Sequence, residues 1–226
     1  MLATSTVRTL GAVSAGLFLV SAVTTFAATS TPQRPVESVA VVQRAQGEVH
    51  IERDGVARPL AVGDVIGRRD SLSTGAASRL AVRFEDGSRI TLGENSLIVV
   101  ADFMAEDGRR SGALIVELIS GAIRLVASNP REAPRKRVEV RTAAATTLST
   151  KGVDLWSGPV DGQLAIIVMR GSVGVRNEAG LVTLTGKRRG TIVSHRLQPP
   201  DQPHVWPRNR ARDMLHTVAF TETARN

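Results

Sequence analysis

The stretch SRLAVRFEDGSRITLGENSLIVV, residues 78–100, decides the fold. Leu80, Val82 and Phe84 alternate with Arg79, Ala81, Arg83 and Glu85, and the apolar set resumes at Ile90 and Leu92 after Asp86-Gly87-Ser88. A period of two marks strands with one buried face, so the stretch reads as a β-hairpin. A bare two-residue Asp86-Gly87 turn would set Phe84 against Arg89 and mismatch the apolar faces. A longer loop pairs Phe84 with Ile90, Val82 with Leu92 and Glu85 with Arg89, and this is the register expected. Asp86, Gly87 and Ser88 read first as turn residues, Gly supplying φ > 0 and the other two bonding backbone.

The same texture runs through most of the chain: short Val, Ile and Leu runs cut by Gly, Asp, Asn and Ser. Strands are expected at 39–43, 47–53, 79–85, 88–92, 97–101, 113–119 and 121–127, then at 138–141, 143–147, 153–157, 163–170, 172–177, 181–184 and 190–194. No long segment holds apolar residues at helical spacing. The fold class is therefore all-β: twisted antiparallel sheets stacked as a sandwich or as a short solenoid-like array. Residues 60–75 read as a loop anchored by Val62, Val65 and Leu72. Within it Gly63 and Gly75 take conformations that other residues avoid, and Asp64, Asp70 and Thr74 bond exposed backbone.

Three segments share the form G-x-[VI]-x-[VLI], each after an apolar strand: Gly47-Glu48-Val49-His50-Ile51, Gly121-Ala122-Ile123-Arg124-Leu125 and Gly171-Ser172-Val173-Gly174-Val175. The glycine is expected to mark a bulge or sharp bend that resets the alternation of faces. Spacings of 74 and 50 residues are too unequal for a strict solenoid repeat.

With 226 residues and 42% hydrophobic content the chain can bury a substantial core, filled by aliphatic side chains because aromatics are 3% and tyrosine is absent. The lack of cysteine excludes disulfides, thiolate metal sites and a cysteine nucleophile. The net charge of +8 comes from short clusters at Arg109-Arg110, 131–137, Lys187-Arg188-Arg189 and 208–212. With no stacking platform and no nucleic-acid motif, these clusters fit solvated loops or attraction to an anionic envelope polymer, and no nucleic-acid partner is expected.

Residues 1–27 look like an export signal: Arg8, a run of about 14 apolar residues over 10–23, and small residues at Thr25 and Ala27. That run is short of the ~20 residues a spanning helix needs. Cleavage before Ala28 would leave no membrane insertion, and an uncleaved inner-membrane anchor is the alternative. Residues 28–37 form a flexible leader, 38–196 the β domain, and 197–226 a Pro-rich tail. In that tail Trp206 is expected to pin an extended chain to the domain, 208–214 to form one or two helical turns, and 215–220 a last strand.

No catalytic constellation stands out. The four histidines, His50, His195, His204 and His216, are scattered, and Ser149-Thr150-Lys151 has the wrong spacing for a serine–lysine motif. Asp64, Asp70 and Asp86 could converge on calcium, but they lack the ligand density of a calcium loop. Neither an enzyme nor a metal or cofactor is expected.

Val62-Gly63-Asp64, Asp70-Ser71-Leu72-Ser73-Thr74-Gly75, Ser78-Arg79-Leu80 and Phe84-Glu85-Asp86-Gly87-Ser88 follow in the order and spacing of the FecR domain family, which this chain resembles over roughly 39–194. Gly152-Val153-Asp154-Leu155-Trp156 and Val168-Met169-Arg170-Gly171-Ser172-Val173 are similar to the second half of the pattern, although the family more often has Gly-Thr where Gly152-Val153 stands. The resemblance implies a non-catalytic periplasmic all-β domain. Full-length members relay a signal from an outer-membrane iron-siderophore receptor to a cytoplasmic sigma factor. With only about nine residues before the apolar run, this chain is expected to be a stand-alone periplasmic FecR-domain protein without the anti-sigma region.

The function expected is interaction, sensing or scaffolding in the cell envelope, with an envelope protein as partner; binding of peptidoglycan or another anionic glycan is the alternative. Gly152, Asp154 and Trp156, with Asp86 and Gly87, are the candidate partner-binding residues. Gly63, Asp64, Asp70, Thr74, Gly75, Ser88 and Gly171 are the structural motif. Trp156 reads as a core residue or as an exposed anchor.

Overall fold

The computed structural model describes residues 37–104, 112–127 and 137–221. The signal expected over 1–27 and the leader expected over 28–37, save its last residue, lie outside the described residues. In chain order the strands are β1 (Ser38–Gln46), β2 (Val49–Arg53), β3 (Val56–Pro59), β4 (Val65–Gly67), β5 (Ser71–Thr74), β6 (Arg79–Phe84), β7 (Arg89–Leu92), β8 (Leu97–Met104) and β9 (Ala113–Ser120). There follow β10 (Ile123–Ala127), β11 (Arg137–Arg141), β12 (Thr146–Ser149), β13 (Val153–Val160), β14 (Gln163–Arg170), β15 (Ser172–Arg176), β16 (Leu181–Thr185), β17 (Arg189–Val193), β18 (His204–Val205) and one helix, α1 (Arg208–His216).

Among the described residues two nine-stranded sheets result. The first runs β18-β17-β14-β13-β10-β7-β6-β1-β4 and the second β16-β15-β12-β11-β9-β8-β5-β2-β3. Their inner faces share one hydrophobic cluster, with Leu80, Val82, Phe84, Ile90 and Leu92 from the first sheet and Ile51, Leu72, Ile98, Val100 and Leu114 from the second. The rings of Phe84 and Phe103 stack across it, centroids 5.6 Å apart. The architecture is thus two stacked sheets, as the alternation predicts. The pairing is antiparallel except between β9 and β11, which run parallel because the chain visits the first sheet as β10 before returning beside β9.

At each of the three Gly-centred segments the chain passes from one sheet to the other within a tight corner. Gly47 joins β1 of the first sheet to β2 of the second, Gly121 joins β9 to β10, and Gly171 joins β14 to β15. All three have positive φ, between 72° and 92°. A Cβ on Gly47 would collide with Ser78 and one on Gly121 with Ser96. Those two serines do the same work: Ser78 Oγ accepts the amide of Glu48 at 2.8 Å, and Ser96 Oγ accepts that of Ala122 at 3.0 Å.

The central hairpin differs in register from the expectation. Val82 pairs with Ile90 and Leu80 with Leu92, so Phe84 stands opposite Ser88 and the loop is Glu85-Asp86-Gly87. Both registers keep the apolar faces aligned, so the turn decides between them. A three-residue loop needs a left-handed residue in its last position, and the observed register puts Gly87 there with φ +80°; the other would put Ser88 there. The amide of Ser88 then bonds Asp86 Oδ1 at 2.8 Å.

Four short strands escaped the sequence pattern. β4 and β5 lie in the stretch expected as a loop, β3 is exposed throughout, and β18 has two residues. The strand expected at 143–147 is displaced to β12, because Thr142 Oγ1 accepts the amides of Ala144 (3.2 Å) and Ala145 (3.0 Å) and holds a turn there. At the C-terminus α1 takes up two and a half turns and no strand follows over 215–220. Pro207 opens the helix at φ −56°, and Ala211 and Met214, three apart on one face, are its buried residues.

Among the described residues no helix is long and apolar enough to cross a membrane.

Candidate functional site

The outer faces of the two sheets are treated differently by the chain. On the first sheet, Trp156, Ala165 and Ile167 form a second hydrophobic cluster with Trp206, Ala211, Met214 and Val218 from the C-terminal segment. Trp206 and Trp156 are each 1% exposed, so the Pro-rich tail is pinned by Trp206 as expected. That tail is less poor in hydrogen bonds than its prolines imply: β18 pairs with β17, and Thr191 Oγ1 donates to the carbonyl of Asp201 at 2.7 Å. Beyond α1 the chain continues to β1, where the Thr221 amide bonds Gln46 Oε1 at 3.2 Å and Arg44 lies 4.2 Å from the Phe220 ring centroid.

The sequence-predicted partner residues are distributed about one end of this covered sheet. The Asp86-Gly87 turn closes β6–β7, and β7 pairs with β10, which pairs with β13. Gly152, just before β13, is therefore two strand spacings away, about 10 Å. Asp154 engages Arg124 bidentately, at 2.9 and 2.8 Å, and this pairing raises the arginine pKa further despite partial burial. Gly152 packs beneath the Gly171 corner, where an added Cβ would meet its carbonyl oxygen at 2.5 Å. Trp156 is a core residue: its indole nitrogen donates to Thr217 Oγ1 at 3.0 Å under the C-terminal segment.

The motif residues of the first half stitch strands together. Buried Asp70 accepts Arg53 Nε at 2.8 Å and Nη2 at 2.6 Å as well as the Gly67 amide at 2.6 Å. Asp64 accepts Arg58 at 2.8 Å and the Ala61 amide, and those bonds hold its carboxyl below the usual aspartate range. Thr74 Oγ1 donates to the Gly93 carbonyl at 2.6 Å and accepts the Ser96 amide at 3.0 Å. The Gly75 amide bonds the Glu48 carbonyl at 2.9 Å, Gly63 has φ +93° in its turn, and Ser88 is buried at the end of the central hairpin. Asp64, Asp70 and Asp86 do not converge, and no group of metal-binding side chains is found among the described residues.

Among the described residues nothing covers the outer face of the second sheet over β11, β12, β15 and β16, and a groove of about 940 Å³ lies along it. Its floor follows one cross-strand row, Glu139–Leu148–Gly174–Thr183, in which Gly174 contributes no side chain and so leaves the depression. Leu148 and Leu181 are exposed beside it, at 38% and 64%. The rim carries Arg137, Lys151, Arg176 and Arg196. Glu139 is the buried exception: Arg137 and Arg141 bond its two oxygens, the latter at 2.6 Å. Burial pushes its carboxyl up, but the two arginines outweigh that and leave it below the ordinary glutamate range.

The Ser149 hydroxyl lies 3.0 Å from the Lys151 carbonyl and 2.9 Å from that of Ser172, so it is engaged with backbone. What the face offers is a shallow groove of mixed character, in which the exposed Leu148 and Leu181 flank Gly174 and the paired Glu139. Sequence reasoning passed over it. Its signal was the set of small and aliphatic residues at outward positions of three neighbouring strands, Leu148, Gly174 and Leu181, which becomes legible only when the strand order is known.

Comparison with known proteins bears on the fold. Residues 70–174 match the family model described as FecR protein. Crystal structures at 1.65 and 2.50 Å of a candidate anti-sigma factor from Parabacteroides distasonis ATCC 8503 each superimpose with a TM-score of 0.51 at 17% identity. The match covers 64% of this chain and 64% and 63% of those chains, less than two thirds of their length. At that identity the likeness is one of fold. No curated protein matches the chain.

Proposed function

We propose that this chain, which carries a FecR domain over residues 70–174, is a non-catalytic regulatory module of the cell envelope that recognises a partner protein through the uncovered face of its second sheet. The observation that carries the reading is the contrast between the two outer faces. The first is partly sealed by two buried tryptophans and α1, whereas the second leaves Leu148 and Leu181 exposed beside a groove floored by Gly174. The apolar run over 10–23 supports export to the periplasmic side, and the anti-sigma description of the structural neighbours supports a regulatory role.

Photo-crosslinking in intact cells tests the reading. A photoreactive residue at Leu148 or Thr183 should capture one discrete envelope protein, and the same residue at Thr91 on the first sheet should not. Capture from Thr91 alone would move the docking face to the other sheet and refute the assignment.

A second reading, binding of an anionic glycan such as peptidoglycan, draws support from Lys151 and Arg176 on the groove rim, which have no ion pair among the described residues, whereas Arg137 is paired with Glu139 and Arg196 with Glu178. It requires binding to purified sacculi that weakens steeply from low to physiological salt. Salt-insensitive binding, or none, removes it.

A further inference from the structure

Two basic clusters that are separate in sequence, Lys187-Arg188-Arg189 and 208–212, meet across a second groove of about 300 Å³ between α1 and the turn joining β16 to β17. Four cations line it, Lys187, Arg188, Arg208 and Arg212, over a floor of Met169, Ala211 and Leu215. Arg208, Ala211, Arg212 and Leu215 follow one another at spacings of three, one and three, so they share one side of the helix. No carboxylate lines this groove among the described residues, and Lys187, Arg208 and Arg212 have no ion pair there. Asp213 lies in the neighbouring depression beside Trp156, and Arg210 is paired with Asp161 at 2.9 Å. Arg188 is held in place by donating to the Trp206 carbonyl at 2.8 Å.

Like charges this close repel one another, so the arrangement lacks a counter-charge. Guanidinium and ammonium groups above an apolar floor are complementary to a phosphodiester joined to acyl chains, as at the interfacial layer of a bilayer. We propose that this groove docks the headgroup of an anionic phospholipid and holds the C-terminal side of the domain against a membrane surface. An acidic peptide would be served by the cations but not by the floor. The surface is distinct from the groove on the second sheet, so the two proposals stand or fall separately.

The chain has no cysteine, so His216→Cys, exposed on α1 four residues beyond Arg212 and on the same side of the helix, takes a single environment-sensitive fluorophore in the full-length protein. Phosphatidylglycerol vesicles should shift its emission to the blue, and phosphatidylcholine vesicles should not, even if residues 10–23 partition into both. The double variant Arg208→Glu/Arg212→Glu should weaken the response at least tenfold. Lys187→Ala should weaken it less, and Arg83→Glu/Arg89→Glu, an equal charge change on β6 and β7, should leave it intact. Unchanged melting of the variants shows that folding is not the cause. An equal response to phosphatidylcholine, a response that survives the Arg208/Arg212 reversal or is lost equally in the Arg83/Arg89 control, or its reproduction by inorganic phosphate alone would each overturn the proposal.

Discussion

Trp156 Nε1 donates a hydrogen bond to Thr217 Oγ1 at 3.0 Å, joining β13 to the residue after α1 across 61 positions of sequence. It fixes the C-terminal segment over the first sheet and makes Trp156 part of the protein's own packing. Trp156→Ala should lower unfolding free energy by about 3–5 kcal/mol, the usual range for deleting a buried tryptophan. Thr217→Val keeps the shape but leaves the indole N–H unpaired and should cost about 1–3 kcal/mol. Urea denaturation measures both; near-wild-type stability of Trp156→Ala would mean that the indole is not packed.

The sheet-changing corners should be far less tolerant than the turns. Gly87 and Gly121 both have positive φ, but nothing lies within 4 Å of a Cβ on Gly87, whereas one on Gly121 meets Ser96. Gly87→Ala should therefore cost only the left-handed penalty, about 1–2 kcal/mol. Gly121→Ala adds overpacking of about 1–3 kcal/mol to that. Thermal melts of the pair check the difference, and equal losses would contradict the corner geometry.

Gly190→Ala should loosen the C-terminal segment selectively. Its Cβ would come within 2.5 Å of Trp206 Nε1 and 2.7 Å of the Ile166 carbonyl oxygen, and backbone cannot yield there. Hydrogen exchange should show α1 losing protection, while β6 and β7, in the central core, keep theirs.

Glu139 gives the domain an acid-sensitive contribution. Because its folded-state pKa lies below the unfolded value, its stabilisation is present above about pH 4 and is lost as pH falls through the folded value. Glu139→Gln should reduce stability at neutral pH by about 1–3 kcal/mol, the scale of charge-assisted hydrogen bonds. The gap between wild type and variant should close in the acid range. A gap that stays constant from pH 7 to pH 3 would contradict the assignment.

Fold class was legible because the apolar period of two is a statement about faces. Val82, Phe84, Ile90 and Leu92 had to share one face in any register, and all four do. The register itself was not legible from the faces, since a slip of two residues preserves them; the φ of Gly87 fixes it. β3 and β4 were missed because four- and three-residue strands at a sheet edge, with exposed residues such as Val56 and Val65, carry no alternation strong enough to read. The G-x-[VI] segments were visible as breaks, but that they switch sheets depends on Ser78 and Ser96, more than 24 residues away. The groove on the second sheet was least legible of all. Glu139, Leu148, Gly174 and Thr183 become a row only through three strand pairings.

Gly174→Arg tests the central claim most directly. A Cβ at this position makes only ordinary contacts, 3.5 Å to Leu181 and 3.9 Å to the Leu148 carbonyl, so the fold should accept it while the long side chain fills the groove. The protein would be recovered from crosslinked cells as wild type and as Gly174→Arg, and the yield of the associated envelope protein compared. The account predicts at least a tenfold loss of that partner with an unchanged melting temperature. Undiminished recovery with the groove filled would contradict it.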